Sequence, residues 1–360
     1  MKVAIATYPM LWQRTGGLQV RIRKTIEHLR MRGVEAHLFD ALNEKLRDFD
    51  LVHVFAAING ARLILQSARA QGVPTVLSSV LQPEGGRLKF LGYEAASWLT
   101  GKLSSYEIRT THDEVRSAVK YSDRLIALCE AERRILCNIY GASPKGVTLI
   151  PNGIGSAFFS ASPSLFSERF AVAPGFVLVV GTISAYKNQL GVIRATERAA
   201  RSVVLIGPVG DKGYLQQCLR EGGHRVRHLG VLAHDDPLLG SAYAAAGVTV
   251  LASAGEAFGL TVVESLAAGT PAVITSSNGL GLDPVPPLLS FVNPRTTGSI
   301  ERAVDAALTI PSFERERCSQ LVNHLDWGMV AEKIEHVYQD VLGNDATVTV
   351  SQDGLRAPCT

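Results

Sequence analysis

Along the chain, short runs of aliphatic and β-branched residues alternate with longer stretches in which apolar side chains recur every three to four positions. KVAIAT, AHLFD, LVHVF and PTVLSS are too short for helices and are rich in residues that fit a buried, pleated strand. Between them, residues 20–32 and 62–71 carry the helical period. The rhythm continues through DRLIALC, a helix over 130–140 and VTLIPNG, whose Pro-Asn-Gly is a turn signal. It restarts after a Ser-, Phe- and Pro-rich stretch at 155–174. There FVLVVGTI, SVVLIG, RVRHLGV, VTVLAS and PAVITS read as strands, with helices over 189–200, 213–222, 238–246, from about 260, and over 299–308. Strands alternating with helices predict βαβ units and parallel sheets.

Two rounds of that alternation predict an α/β protein with two doubly wound, Rossmann-like domains facing a cleft. We place the first over residues 1–165 and the second over 166–342, with a last helix at 327–342 packing back on the first domain. The tail, 343–360, has no apolar period and is expected to be mobile. Ligands of open α/β sheets bind beyond the carboxyl ends of the strands, so the cleft is the expected site.

Composition narrows the setting. Hydrophobic residues make up 46% of the chain and charged residues 19%, an ordinary globular balance. The apolar runs fall far short of the roughly 20 residues that span a bilayer, and MKVAIATYPM reads as a first strand rather than a signal peptide. Five cysteines without a CxxC pair fit a reduced, cytoplasmic setting and no structural zinc. Lys and Arg outnumber Asp and Glu by 21 to 14 over residues 1–165 and are outnumbered 15 to 19 over 166–360. Arg21, Arg23, Lys24, Arg30 and Arg32 crowd one helical stretch. They read either as a solvated helix face or as an attractor for a phosphate-bearing acceptor or the anionic inner face of a membrane; nothing calls for a nucleic acid.

The run from Ser253 to Pro271, SAGEAFGLTVVESLAAGTP, carries the chemistry. A strand ends at Ser253, a glycine-punctuated loop follows, and a helix begins near Gly259–Thr261, with Glu264 expected in its first turn. Unpaired amides and the positive end of the helix dipole suit a diphosphate there. Taken alone, Thr261-Val-Val-Glu264 also fits a capping box that needs no ligand. A second loop, VGTISAYKNQL, ends a strand with Thr182, Lys187 and Asn188, and Gly16-Gly17, after Thr15, lies between the first strand and helix.

In these segments the chain resembles the retaining GT-B glycosyltransferases related to sucrose synthase and bacterial mannosyltransferases, marked by two glutamates in E-x-F-G-x-x-x-x-E followed by A-x-G-x-P. The resemblance extends through LIPNGI (149–154) and RHLGVL (227–232) and covers nearly the whole chain. It implies a metal-independent hexosyltransferase that needs no cofactor beyond its nucleotide-diphosphate sugar donor. Glu256 would contact donor hydroxyls and act with Lys187 in catalysis. Amides around Phe258, Gly259, Leu260 and Thr261 would hold phosphates, with Gly16, Gly17, Thr182 and Asn188 beside them. Glu264 would accept from the ribose, and Leu232 would approach the base. The acceptor would be a hydroxyl of a glycan or lipid-linked glycan, in cell-surface polysaccharide or glycoconjugate synthesis.

The departures are specific. Thr182 replaces a common arginine and Ser78-Ser79-Val80 stands where the family often has a histidine, so Arg14, Arg133 or Arg134 would have to supply further charge. His53 reads as a core residue, and His112 as a candidate for reaching the cleft. Asp48-Phe-Asp50 reads as a solvated strand entry rather than a metal motif, and His234-Asp-Asp236 as a helix-start turn. Two competitors stay open: a non-catalytic nucleotide-sugar-binding partner subunit, and an epimerase of related fold, for which no acid/base pair is evident.

Overall fold

A computed structural model describes residues 1–13, 16–81 and 110–345. Arg14, Thr15, most of the 88–120 region and the tail from 346 therefore lie outside the described residues. The first sheet is built from β1 (Lys2–Ala6), β2 (Glu35–Leu38), β3 (Leu51–Phe55), β4 (Thr75–Ser78), β5 (Arg124–Ala127) and β6 (Val147–Leu149), in the order β2-β1-β3-β4-β5-β6. The second is built from β7 (Val177–Val180), β8 (Val203–Ile206), β9 (Val226–His228), β10 (Val248–Leu251), β11 (Ala272–Thr275) and β12 (Leu289–Val292), in the order β12-β11-β10-β7-β8-β9. Every neighbouring pair of strands is parallel. The central strands are buried on both faces, which is why their sequences are continuously apolar rather than alternating.

Among the described residues the helices, numbered in chain order, are α1 (Gly17–Met31), α2 (Ala61–Ala70), α3 (Thr111–Lys120), α4 (Glu130–Asn138), α5 (Ser156–Phe159) and α6 (Ser164–Phe170). There follow α7 (Gln189–Ala195), α8 (Lys212–Gly222), α9 (Pro237–Ala245), α10 (Leu260–Ala267), α11 (Thr297–Leu308), α12 (Glu316–Gln320) and α13 (Trp327–Asp345). Order reverses between β1 and β3 in one sheet and between β7 and β10 in the other. Crevices at the carboxyl ends of such reversals are where doubly wound sheets take ligands. The loops after β1, β7 and β10, which hold the residues singled out above, sit at these two points.

Several expectations shift. β12 is absent from the sequence reading because LSFV is four residues long and follows the proline-rich DPVPPLL. The 189–200 helix stops at Ala195, where the Thr196 hydroxyl turns back to donate to Val192 and Ile193 carbonyls. α1 begins at Gly17, three residues early, so the Gly16-Gly17 pair forms the helix start rather than a preceding loop.

The last helix does pack on the first domain. Trp327, Val330, Ala331, Ile334, Val337, Tyr338 and Val341 share a core with Val3, Ile5, Ile22, Ile26 and Leu29. The crossing is fixed where the Ile154 amide donates to the Leu325 carbonyl at 2.7 Å. There Gly153 does more than turn the chain, because a Cβ on it would sit 2.4 Å from the Trp327 ring.

Candidate functional site

The loop after β7 is locked onto the loop after β10. Asn188, in the left-handed conformation at φ 56°, starts α7 and donates through Nδ2 to the carbonyls of Ala252 at 3.1 Å and Pro294 at 3.0 Å. The Tyr186 hydroxyl donates to the Gly255 carbonyl at 2.8 Å, and the Ala254 amide returns a bond to the Tyr186 carbonyl at 2.9 Å. Gln189, buried, donates through Nε2 to the Thr182 carbonyl. Between these clamps the Lys187 Nζ meets the Glu256 Oε1 at 2.5 Å, with both side chains partly buried. The Glu256 backbone is itself pinned, its amide donating to the Ser277 carbonyl and its carbonyl accepting from the Gly279 amide, each at 2.9 Å. A Cβ on Gly279 would lie 2.1 Å from the Ala257 carbonyl oxygen, so this approach requires glycine.

α10 opens at this pair. Its N-cap is Gly259, left-handed at φ 93°, and no side chain caps it. Phe258 is buried beneath the turn, in the second domain's core. The buried Oγ atoms of Ser253 and Thr261 have no hydrogen-bond partner, which is uncommon for buried polar atoms. Uncapped amides at the start of α10, with the Lys187 ammonium held on Glu256 just before it, are the kind of groups that suit an anion. Across the cleft stands the start of α1: a Cβ on Gly17 would come 2.8 Å from Leu260 Cδ1. The structure thus pairs Lys187 with Glu256 just before α10 and sets Gly17, with Gly16 before it, against Leu260 at the start of the same helix, next to Thr261.

Glu264 departs from expectation. It lies in the second turn of α10, and Thr261 is inside the helix rather than at its cap, so no capping box forms. Its carboxylate is 4% exposed and both oxygens are held: the Tyr243 hydroxyl donates to Oε2 at 2.8 Å and the His234 Nε2 meets Oε1 at 2.9 Å. Burial, and the carboxylate beside it, push the Tyr243 phenol well above its ordinary range, so it stays a neutral donor. His234 is partly exposed and packs edge-on against Phe158, while Leu232, half-buried two residues earlier, lies against the second domain's core. In the His234-Asp-Asp236 turn, Asp236 does cap α9 by accepting from the Leu238 amide, but His234 belongs with Glu264.

The first domain supplies a buried polar network rather than a histidine at the end of β4. Ser78 Oγ accepts from Arg21 at 3.3 Å and meets His53 Nε2 at 2.9 Å, and His53 Nδ1 meets the Tyr338 hydroxyl at 2.6 Å. His53 is fully buried, and burial together with the nearby Arg21 lowers its pKa well below the usual histidine range. Glu132, 1% exposed, accepts from Ser79 Oγ and from the amides of Leu81 and Leu128. Burial raises its carboxyl against the pull of those donors, and burial lowers Arg21 to about 10. Val80, next in the chain, is held at φ 54°, a strained conformation for a β-branched residue.

The other candidates are not brought to the site. His112 is buried on α3 against Tyr140. Arg133 is paired in two bonds with Glu130, and Arg134 is exposed beside the same carboxylate. Asp50 accepts from the Lys2 amide at the strand entry. Most cations of this stretch are not free: Arg21 is buried, Lys24 pairs with Glu27, Arg32 with Glu335, and Arg30 donates to the Ala36 carbonyl, while Arg23 is exposed over the Trp12 ring. Among the described residues no helix is long and apolar enough to cross a membrane.

Comparison with known proteins bears on the family and the fold. Residues 164–319 match the model of the glycosyl transferases group 1, and residues 38–157 that of glycosyltransferase family 4. A D-inositol 3-phosphate glycosyltransferase of Kineococcus radiotolerans is 31% identical over 183 residues, covering 46% of this chain and 42% of that protein. The chain spans about half the length of the curated relatives of that name which it matches. Sucrose-phosphate synthase from Thermosynechococcus elongatus superposes with a TM-score of 0.77 over 96% of this chain and 100% of that one, at 17% identity. Anabaena HepE in complex with UDP-glucose superposes with a TM-score of 0.65 over 97% and 100%, at 16% identity. These two likenesses speak for the fold. With both halves matched in order and the E-x-F-G-x-x-x-x-E segment at the switch point of the second sheet, the chain belongs to the GT-B glycosyltransferases of group 1.

Proposed function

We propose that the chain transfers a hexose-type sugar, with retention of anomeric configuration, from a nucleotide-diphosphate sugar to a hydroxyl of a glycan or lipid-linked acceptor on the cytoplasmic side of the membrane. The observation that carries this reading is the Lys187–Glu256 pair at the uncapped start of α10, opposite Gly17. A diphosphate leaving group gains charge as its glycosidic bond breaks. An ammonium and amides fixed before the reaction favour the transition state over the ground state. Glu256, freed from sole contact with Lys187, would accept from sugar hydroxyls, and Glu264, held by Tyr243 and His234, from the ribose. The positive charge needed at the diphosphate then comes from Lys187 and backbone amides, so we propose catalysis without a metal. Anabaena HepE, of the same fold, forms a complex with UDP-glucose, which supports a donor of this class.

The test is release of nucleoside diphosphate from a panel of UDP-, GDP- and ADP-sugars, with NMR of the new anomeric proton and a parallel run in chelator. Product of inverted configuration refutes retention, and loss of activity in chelator refutes metal independence.

A second reading, a binding subunit without turnover, is favoured by one observation. Thr182 stands in place of an arginine while Arg133 is tied to Glu130, leaving Lys187 to carry the loop's charge. Calorimetric binding of a nucleotide sugar without its consumption across plausible acceptors would select it.

A further inference from the structure

The excess positive charge of residues 1–165 resides only in part on α1, where Arg21 is buried, Lys24 pairs with Glu27 and Arg30 donates to the Ala36 carbonyl, while Arg23 is exposed over the Trp12 ring. Part of it converges elsewhere. A cavity of about 550 Å³ opens beside the amino-terminal ends of β5 and β6, at the opposite end of the sheet from the candidate donor site. Its wall carries Arg116 and Lys120 of α3, Arg124 at the start of β5 and Lys145 in the turn before β6, against a single acid, Asp123. Asp123 is already engaged, its Oδ2 accepting from the Thr75 amide and hydroxyl at 2.8 and 2.7 Å and its Oδ1 lying 4.0 Å from Arg69.

Elsewhere among the described residues some exposed cations pair with acids, such as Arg194 with Glu221 and Arg317 with Glu314, and others, such as Lys45, Lys212 and Arg302, form no ion pair but are not gathered in one concavity with further cations. Among the described residues Lys120, Arg124 and Lys145 form no ion pair. A lysine at the end of a helix complements its dipole, which accounts for Lys120. It does not account for Arg124, a strand residue, or Lys145, in a turn. Like charges drawn from three elements into one concavity repel, and an anion relieves that repulsion. The ring of Tyr140 and the side chains of Val119 and Leu125 give the cavity an apolar flank, and its volume falls in the range of small-molecule sites.

We propose that this cavity is a second anion site, taking the phosphate group of a small phosphorylated molecule or a lipid headgroup, away from the cleft and independent of the donor reading. The two sources share a phosphate ester, and the experiment separates them.

Glucose 6-phosphate is titrated calorimetrically into the wild-type chain and into Lys120→Glu/Lys145→Glu, at low and raised salt. In parallel, both proteins are sedimented with phosphatidylcholine vesicles containing phosphatidylglycerol. The two lysines are exposed, and melting curves establish that the variant is folded. Salt-sensitive binding of glucose 6-phosphate that weakens roughly tenfold or more in the variant supports the site with a free phosphate as ligand. Vesicle binding lost in the variant, without glucose 6-phosphate binding, supports it with a headgroup. Binding unchanged by the reversal, or no binding of either probe, overturns it.

Discussion

Replacing Lys187 by Ala isolates the charge on which the mechanism depends. The ammonium is held by its neighbours, since Tyr186 and Asn188 are bonded to the loop after β10 and Nζ already sits 2.5 Å from a carboxylate oxygen. Little reorganisation is needed for it to meet a phosphate oxygen instead. At the effective dielectric of a partly buried site, unit charges about 4 Å apart attract by about 4 kcal/mol. Some of that is offset by the contact Lys187 relinquishes with Glu256, leaving about 3 kcal/mol, or roughly a hundredfold in rate. Steady-state release of nucleoside diphosphate should therefore show kcat down roughly a hundredfold in Lys187→Ala, partly restored in Lys187→Arg, with a smaller change in donor KM. Because each residue partners the other, the Lys187→Ala/Glu256→Ala double variant should lose less than the sum of the single losses. A folded Lys187→Ala protein with unchanged kcat, or one whose whole deficit lies in KM, would refute the reasoning.

Three further outcomes follow from the geometry. Tyr243→Phe removes a buried donor from the Glu264 carboxylate and should weaken nucleotide binding and lower stability by about 1.5–3 kcal/mol, read by calorimetry and denaturant unfolding. Gly153→Ala drives a methyl into the Trp327 ring and should destabilise by about 1–3 kcal/mol, read from the midpoint of the tryptophan emission shift in denaturant. His53 has a folded pKa depressed by burial, so the unfolded chain takes up its proton first as pH falls. Its contribution is intact above the unfolded histidine pKa, and stability should decline by about 1 kcal/mol per pH unit below roughly 6.5, a slope that His53→Gln flattens. His28 and His324, also lowered by burial, add the same sign and remain in both proteins.

Much of this architecture is legible in the sequence because parallel strands buried on both faces leave unbroken apolar runs, and glycine-punctuated loops mark their ends. Glu256, Lys187 and Gly17 can be found that way, since each lies within a few residues of a strand end or helix start. The partners of Glu264 cannot. His234 and Tyr243 lie 30 and 21 residues before it, on a different loop and helix, and only the packing of α9 against α10 unites them. Glu132 reads as one more charge in EAERRIL, although it falls four residues before the buried Leu136 and so on the inward face. The basic stretch of α1 misleads for the converse reason: that helix packs on the core and on α13, so Arg21 is buried and Arg32 is bonded to Glu335, and of the five cations Arg23 keeps an exposed charge with no ion pair among the described residues.

The central claim is that Lys187 and the start of α10 form a diphosphate site. The most direct measurement is the melting temperature of the wild-type and Lys187→Ala chains in the presence of UDP, GDP and ADP, each compared with its nucleoside monophosphate. A ligand that binds the folded chain raises its stability by mass action, by about 2.7 kcal/mol at a hundredfold excess over Kd. The account predicts that at least one diphosphate raises the wild-type melting temperature more than its monophosphate does, and that Lys187→Ala abolishes the difference. No rise with any diphosphate, or a rise that persists undiminished in the variant, would contradict it.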